Sequence, residues 1–177
     1  MSDASNDTAT VIRDDRLIAD HWTELDDETA IPAGVGPLVV TLARWRAERD
    51  ALLASGAPVG VRLANTEDVD AIFAEVADRP LLVLGFPKHD DGRALTQAKL
   101  LRGRLGYRGD VRVDGHILQD LVSVARRCGC NEIKPRADQE LQGCLRALGE
   151  FSTAYQPAAD GIESVFVRRR GKALPAG

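Results

Sequence analysis

Short apolar runs recur along this chain at a spacing that predicts strands alternating with helices. From Pro37 onward five appear: PLVVT at 37–41, VGVRLA at 59–64, PLLVLGF at 80–86, DVRVD at 110–114 and NEIKP at 131–135. Each is followed by a helical pattern, and the runs lie roughly 21–29 residues apart, the size of a βα unit. Alternation of this kind predicts an α/β domain of about five βα units on a mostly parallel sheet, either open or closed into an incomplete barrel. Ahead of it, VIRDDRLIAD at 11–20 reads as a small hairpin turning at Arg13–Arg16. Residues 1–10 read as a disordered leader, 11–156 as the single domain and 157–177 as a tail, with a strand expected at Ser164–Val167.

The helical stripes carry their own punctuation. Val69, Ile72, Phe73 and Val76 recur at i, i+3, i+4 and i+7 after Asn65 and Thr66, which are expected to cap. Asp138 is expected to cap a last helix whose inner stripe is Leu141, Cys144, Leu145 and Leu148. Gly56 and Gly129 stand where helices should stop.

One junction concentrates polar chemistry. The nearly all-apolar run ending at Phe86 predicts a buried parallel strand, and Lys88, His89, Asp90, Asp91, Gly92 and Arg93 follow it. They therefore sit at the carboxyl end of the sheet, where ligands bind in open α/β sheets and barrels. A helix is expected to begin near Gly92 or Arg93 with Asp91 as its cap, and helix starts attract anions. At about 100° per residue, Ala94, Ala98, Leu101 and Leu105 form the core face, Gln97 lies between that face and Arg93, and Lys99 points to solvent. Lys88, Arg93 and Gln97 are thus candidates to converge on an anion, while Asp91 and Gly92 structure the loop. The plainer alternative is that Asp91 caps, Arg93 pairs with an acid and Gln97 is solvated. Lys134 and Arg136, after the fifth run, are candidates to complete the same rim. Asp114 and His116, after the fourth, are candidate acid–base groups or simple caps.

Charge sharpens this reading. The net charge of -4 hides nine acids against two bases in residues 1–36, and eleven bases against six acids between Lys88 and Arg136. That local positive field suits anions or acidic proteins. Nucleic acid is disfavoured, since aromatics are 5% and no basic run is interleaved with stacking rings. Cys128, Cys130 and Cys144 are too few for a secreted disulfide framework. Cys128 falls on the apolar stripe Ile117, Leu121, Val124, Ala125, which makes it a core residue. His21, His89 and His116 show no ligand spacing, so no metal site is expected. No phosphate- or dinucleotide-binding glycine motif is present, and no cofactor is evident. The polar, acidic start is unlike a targeting signal, and no apolar run approaches the ~18 residues of a membrane span, so a cytoplasmic protein is expected.

In order along the chain, Asp20-His21-Trp22, Leu63-Ala64-Asn65, Phe86-Pro87-Lys88, Asp91-Gly92-Arg93, Gln97 through Arg102, Arg127-Cys128-Gly129, Phe151 and Tyr155-Gln156 together resemble the bacterial domain of unknown function 934 family. His89 and Cys130 depart from its pattern, in which an apolar or aromatic residue and a phenylalanine are common. Members are often encoded beside assimilatory sulfite or nitrite reductase and carry the provisional label of oxidoreductases of sulfite reduction. The resemblance brings no established catalytic residue. It implies an accessory protein of assimilatory sulfite reduction that binds a small oxyanion, or sulfite reductase or its electron-transfer partner, at the basic rim. The alternative is an enzyme acting on an anionic substrate there, with Asp91, Asp114 or His116 in acid–base roles; a cofactor-dependent oxidoreductase comes third. A homo-oligomer is compatible with all three.

Overall fold

A computed structural model of the chain describes residues 10–149, apart from Ala33 and Val35, together with Ala158. The expected tail strand, and Phe151, Tyr155 and Gln156, lie outside the described residues. Thr10, placed in the leader by its sequence, instead opens the first strand.

β1 (Thr10–Arg13) and β2 (Arg16–Ala19) form the expected hairpin. Its turn residues Asp14 and Asp15 both take positive φ, 45° and 63°, as a two-residue turn matched to strand twist requires. Then come β3 (Thr23–Glu24), β4 (Leu38–Thr41), α1 (Leu42–Ala54), β5 (Val59–Leu63), α2 (Val69–Val76) and β6 (Leu81–Phe86). α3 (Arg93–Lys99) runs on into a π-helical turn, Leu100–Arg104, before β7 (Asp110–Gly115), α4 (Gln119–Arg127), β8 (Glu132–Ile133) and α5 (Leu141–Gly149).

The eight strands of the described residues join one sheet in the order β2-β1-β8-β7-β6-β5-β4-β3. From β3 to β8 neighbours are parallel, whereas β1 pairs antiparallel with both β2 and β8. Two points correct the expectation. β3 is an additional strand, too short and polar to show an apolar run. The hairpin does not merely precede the sheet; Ile12 pairs with Ile133 and makes it part of the sheet.

The sheet is curled into a half-barrel, and chain length requires this. β2 and β3 occupy opposite edges, which seven flat steps of about 4.8 Å would hold about 34 Å apart. Yet only His21, its two neighbours and their peptide links join Ala19 to Thr23, a reach of at most about 15 Å. The edges must therefore bend toward each other, with Asp20–Trp22 spanning the opening.

Strand alternation then sorts the side chains. Val59, Val61, Leu63, Leu82, Leu84, Phe86, Val111, Val113 and Ile133 belong to the main core, packed with Val69, Ile72, Ala94, Ala98, Leu101, Val122 and Ala125 from the helices. The intervening positions make the inner face of the curl. There Trp22 packs on Val39, Leu81 and Val83, and Arg62, Arg112, Asp114 and Glu132 stand among them.

Local details follow from the side chains available. Asp68, not Asn65 or Thr66, caps α2 through a bond from the Asp70 amide. Asp138, expected to cap the last helix, lies ahead of α5 with its carboxylate bound to Arg136 and Gln139. Arg102 is not a solvated base of its helix: it donates to the carbonyls of Tyr107, Gly109 and Gly129 and to Asn131 Oδ1. Cys128, Cys130 and Cys144 are free and buried.

Candidate functional site

Because β4 to β8 run parallel, their carboxyl ends share one mouth of the half-barrel. Arg62 comes from β5, Gly85 from β6, Asp114 from β7, and Lys134 and Arg136 from the segment after β8. Arg62 and Asp114, two strands apart, face the same side and form a bidentate pair, Nη1–Oδ1 2.8 Å and Nη2–Oδ2 2.6 Å. Arg62 Nη2 also reaches Glu24 on the β3 edge. The hydrogen bond to Asp114 raises the Arg62 pKa further against the opposing effect of burial, so this cation is permanent.

The pair divides two clefts. One, of about 450 Å³, is walled mainly by apolar groups, including Leu42, Leu63 and Phe86, and is lined as well by Asn65, Gly85 and His116. The other, of about 680 Å³, is lined by Glu24, Lys134, Arg136 and Gln139 among others. The clefts meet along Arg62, Asp114 and Gly115. Gly115 has φ 95°, and a Cβ there would lie 2.5 Å from the Phe86 carbonyl oxygen, so only glycine permits this join.

Beneath Lys134 lies a sealed charge network. Lys134 Nζ donates to Asp20 Oδ2 at 3.2 Å, and Arg112 grips both Asp20 oxygens at 2.7 and 3.0 Å while its Nε donates to Glu132 at 2.8 Å. Arg13 approaches from outside, 2.8 Å from Asp110 and 3.6 Å from Glu132. Burial would raise the Asp20 carboxyl, but the bonds and charge of Arg112, the Trp22 amide and Lys134 outweigh it and hold the group below its ordinary value.

The residues proposed for the basic rim fall into two sets. Lys134 and Arg136 line the larger cleft. Arg136 is paired through Nε and Nη2 with Asp138, both at 2.6 Å, and that hydrogen bonding holds Asp138 at about 2. Lys88, Arg93 and Gln97 line neither cleft. Lys88 is exposed on the β6–α3 loop. Arg93 closes back on Asp91 at 2.8 and 2.6 Å, and this bond lowers the Asp91 carboxyl to about 2. Asp91 also accepts from Asn65 Nδ2 at 2.6 Å and from the Arg93 amide at 3.3 Å, so it pins the loop to the end of β5. Gly92 takes the cap position of α3, without a side-chain cap bond. Gln97 is buried, and its Nε2 donates to the carbonyls of Ala64 and Glu67 at 2.8 and 2.9 Å, tying α3 to the β5–α2 loop. Asp114 faces the mouth as an ion-pair partner, and His116 is exposed at its lip.

Sequence reasoning missed Arg62, Gly85 and Asp20. The first two are visible as interruptions of otherwise apolar strands, one charged and one without a side chain, on the same alternating face. Asp20 carries no local signal, because its partners are distant in the chain.

Among the described residues, no group of three or more His, Cys, Asp or Glu is arranged to hold a metal ion. No helix among them is long and apolar enough to cross a membrane. No curated protein matches the chain. Residues 60–166, more than half of the sequence, match the family described as bacterial protein of unknown function (DUF934), and the chain belongs to that family.

Proposed function

We propose that this protein is an accessory of assimilatory sulfite reduction that binds a small oxyanion at the mouth of the half-barrel. The observation that carries the reading is the placement of Arg62, Lys134 and Arg136 around one open cleft at the carboxyl ends of parallel strands. The basic rim is thereby reassigned. Lys134 and Arg136 hold the anion with Arg62, while Lys88 remains at the margin and Asp91, Gly92, Arg93 and Gln97 build the adjoining loop.

The cations have carboxylate partners, and the strengths of these pairs decide which can respond to a ligand. Asp114 is almost buried and grips Arg62 in two bonds. The Arg136–Asp138 pair is exposed on both sides and spans two residues, so water competes with it strongly. An incoming oxyanion replaces Asp138 on Arg136 and adds a contact to Lys134, whereas Arg62 supplies field without moving. The link to sulfite reduction rests on what the family resemblance implies, and sulfite or sulfate matches the site in charge.

Calorimetric titration of the full chain with sulfite and sulfate at low ionic strength tests the site. Lys134→Ala/Arg136→Ala should abolish binding while far-UV circular dichroism stays that of the folded protein, with a lowered Tm because Lys134 also bonds Asp20. Unchanged affinity in the double variant sinks the assignment. Deleting the gene should slow growth on sulfate and not on a reduced sulfur source; equal growth on both separates the protein from that pathway.

A further inference from the structure

The larger cleft is not uniformly basic. Glu24, Arg62 and Asp114 line it together with Lys134 and Arg136. Arg62 Nη2 lies 2.5 Å from Glu24 Oε1 and 2.6 Å from Asp114 Oδ2, so carboxylates from β3 and β7 converge on one nitrogen. Arg62 reaches Asp114 by crossing β6 at Gly85, where a Cβ would lie 3.9 Å from Nη1. Two carboxylates against one guanidinium leave this wall with one negative charge over. Asp114 is the better satisfied of the two: it is 10% exposed, and both of its oxygens bond Arg62. Glu24 is 50% exposed, and among the described residues its carboxylate makes only the bond through Oε1. The excess negative charge therefore faces the cleft at Glu24.

The positive wall begins one strand away. Arg112 and Val113 pair with Glu132 and Ile133 across β7 and β8. The Lys134 amide carries that ladder one step further by donating to the Val113 carbonyl at 2.9 Å. Lys134 thus stands beside Asp114 on the same face of the sheet, at the strand spacing of about 4.8 Å. Arg136, two residues on, lines the same cleft. Lys134 gives one of its three donors to Asp20, whose oxygens Arg112 also grips. Among the described residues its other two donors are open to a ligand. A plain oxyanion on Lys134 and Arg136 answers the positive wall and leaves Glu24 repelling it across the cleft. A molecule with a cationic group a few bonds from its oxyanion answers both walls, and a cleft of about 680 Å³ has room for it.

We infer that the ligand is a small organic zwitterion, its oxyanion held by Lys134 and Arg136 and its ammonium, a few bonds away, by Glu24. This rests on the anion reading of the mouth and adds the second charge that the ligand carries.

Calorimetry on the full chain compares taurine with 1-propanesulfonate, which has a methyl group in place of the ammonium, and with inorganic sulfate as the reference anion. Wild-type protein should bind taurine about fivefold more tightly than 1-propanesulfonate. Glu24→Gln keeps an oxygen for Arg62 and removes the charge. In that variant taurine should lose its advantage, while 1-propanesulfonate binds at least as well as before. Far-UV circular dichroism of Glu24→Gln guards against a folding defect, and the wild-type comparison decides if the variant unfolds. Equal affinities in the wild type, a preference unaltered in Glu24→Gln, or binding of sulfate without either sulfonate overturns the zwitterion and leaves the oxyanion site standing. Failure of all three anions to bind overturns the oxyanion site, and the zwitterion with it.

Discussion

Asp20 and Arg112, ninety-two positions apart in the chain, meet in a two-bond ion pair at 2.7 and 3.0 Å whose side chains are 2% and 1% exposed. The pair joins the segment that spans the curled sheet to the middle of its inner face. Arg112 also binds Glu132, and Lys134 also binds Asp20, so the network balances within itself.

Truncating Asp20 leaves Arg112 with Glu132 alone and Lys134 with no anion beneath it. Breaking a buried pair on one side costs about 3–5 kcal/mol. Asp20→Ala should therefore lower stability in urea by about that amount, with Tm falling by about 10 °C. A loss below about 1 kcal/mol would mean that the segment from Asp20 to Trp22 is not held by this contact.

Acid should act on the same residue. The folded pKa of Asp20 lies below its ordinary value of 3.8, so the folded state binds fewer protons there than the unfolded chain. Its contribution is complete above about pH 4 and is lost as pH falls through the lower folded value. The exposed Asp138, held at about 2, titrates over the same window and adds little because water screens it. Urea midpoints should stay level from about pH 7 to 5 and drop between about 4 and 2. In Asp20→Asn the drop should flatten; a decline as steep as the wild type's would place the sensitivity elsewhere.

Gly60 and Gly85 should answer differently to one methyl group. At Gly60 the new Cβ meets Trp22, Leu81 Cβ and the Leu81 carbonyl oxygen at 3.1–3.2 Å, an overpacking expected to cost about 1–3 kcal/mol. Trp22 should be displaced and tryptophan emission should shift to the red. Gly85→Ala meets nothing closer than 3.7 Å, so stability should hold or rise. Comparable losses at both positions would contradict the assigned packing of Trp22.

Three buried thiols predict a slow chemistry. Burial raises Cys130, Cys128 and Cys144 above the ordinary thiol value, so little thiolate is present at neutral pH. Native protein should take up iodoacetamide at pH 8 only as fast as it opens, and all three should react once guanidinium is added. Rapid modification of one cysteine in the folded protein would reopen a thiol-based activity.

The repeating framework was legible because local patterns dictate it. PLLVLGF and VGVRLA pair as β6 and β5, and the Val69–Val76 stripe lies against the core, since apolar period and chain connectivity act over short distances. The hairpin was readable from two short apolar runs around Arg13–Arg16, where Asp14 and Asp15 take the left-handed backbone of the turn. The curl was not, because it depends on the pairing of Ile12 with Ile133 and on a crossing too short to look like an element. Within the site, Lys134 and Arg136 were found as cations that follow a strand. The inward turn of Gln97 is not legible locally, because two main-chain carbonyls of the β5–α2 loop, remote in sequence, draw its amide inward. Arg62 and Gly85 went unnoticed for the opposite reason: each matters through what stands on the neighbouring strand.

The antiparallel contact between β1 and β8 has a consequence for synthesis. A chain growing from its amino terminus makes the hairpin first, but Glu132 and Ile133, the residues that dock it, emerge after every other strand of the described residues. Until then β1 presents an unpaired edge, and Asp20 lacks Lys134. Contacts of such sequence separation form slowly and late. Chains released before β8 therefore keep two open edges, β1 and β7, which makes β8 the point at which the ribosome's product becomes able to close.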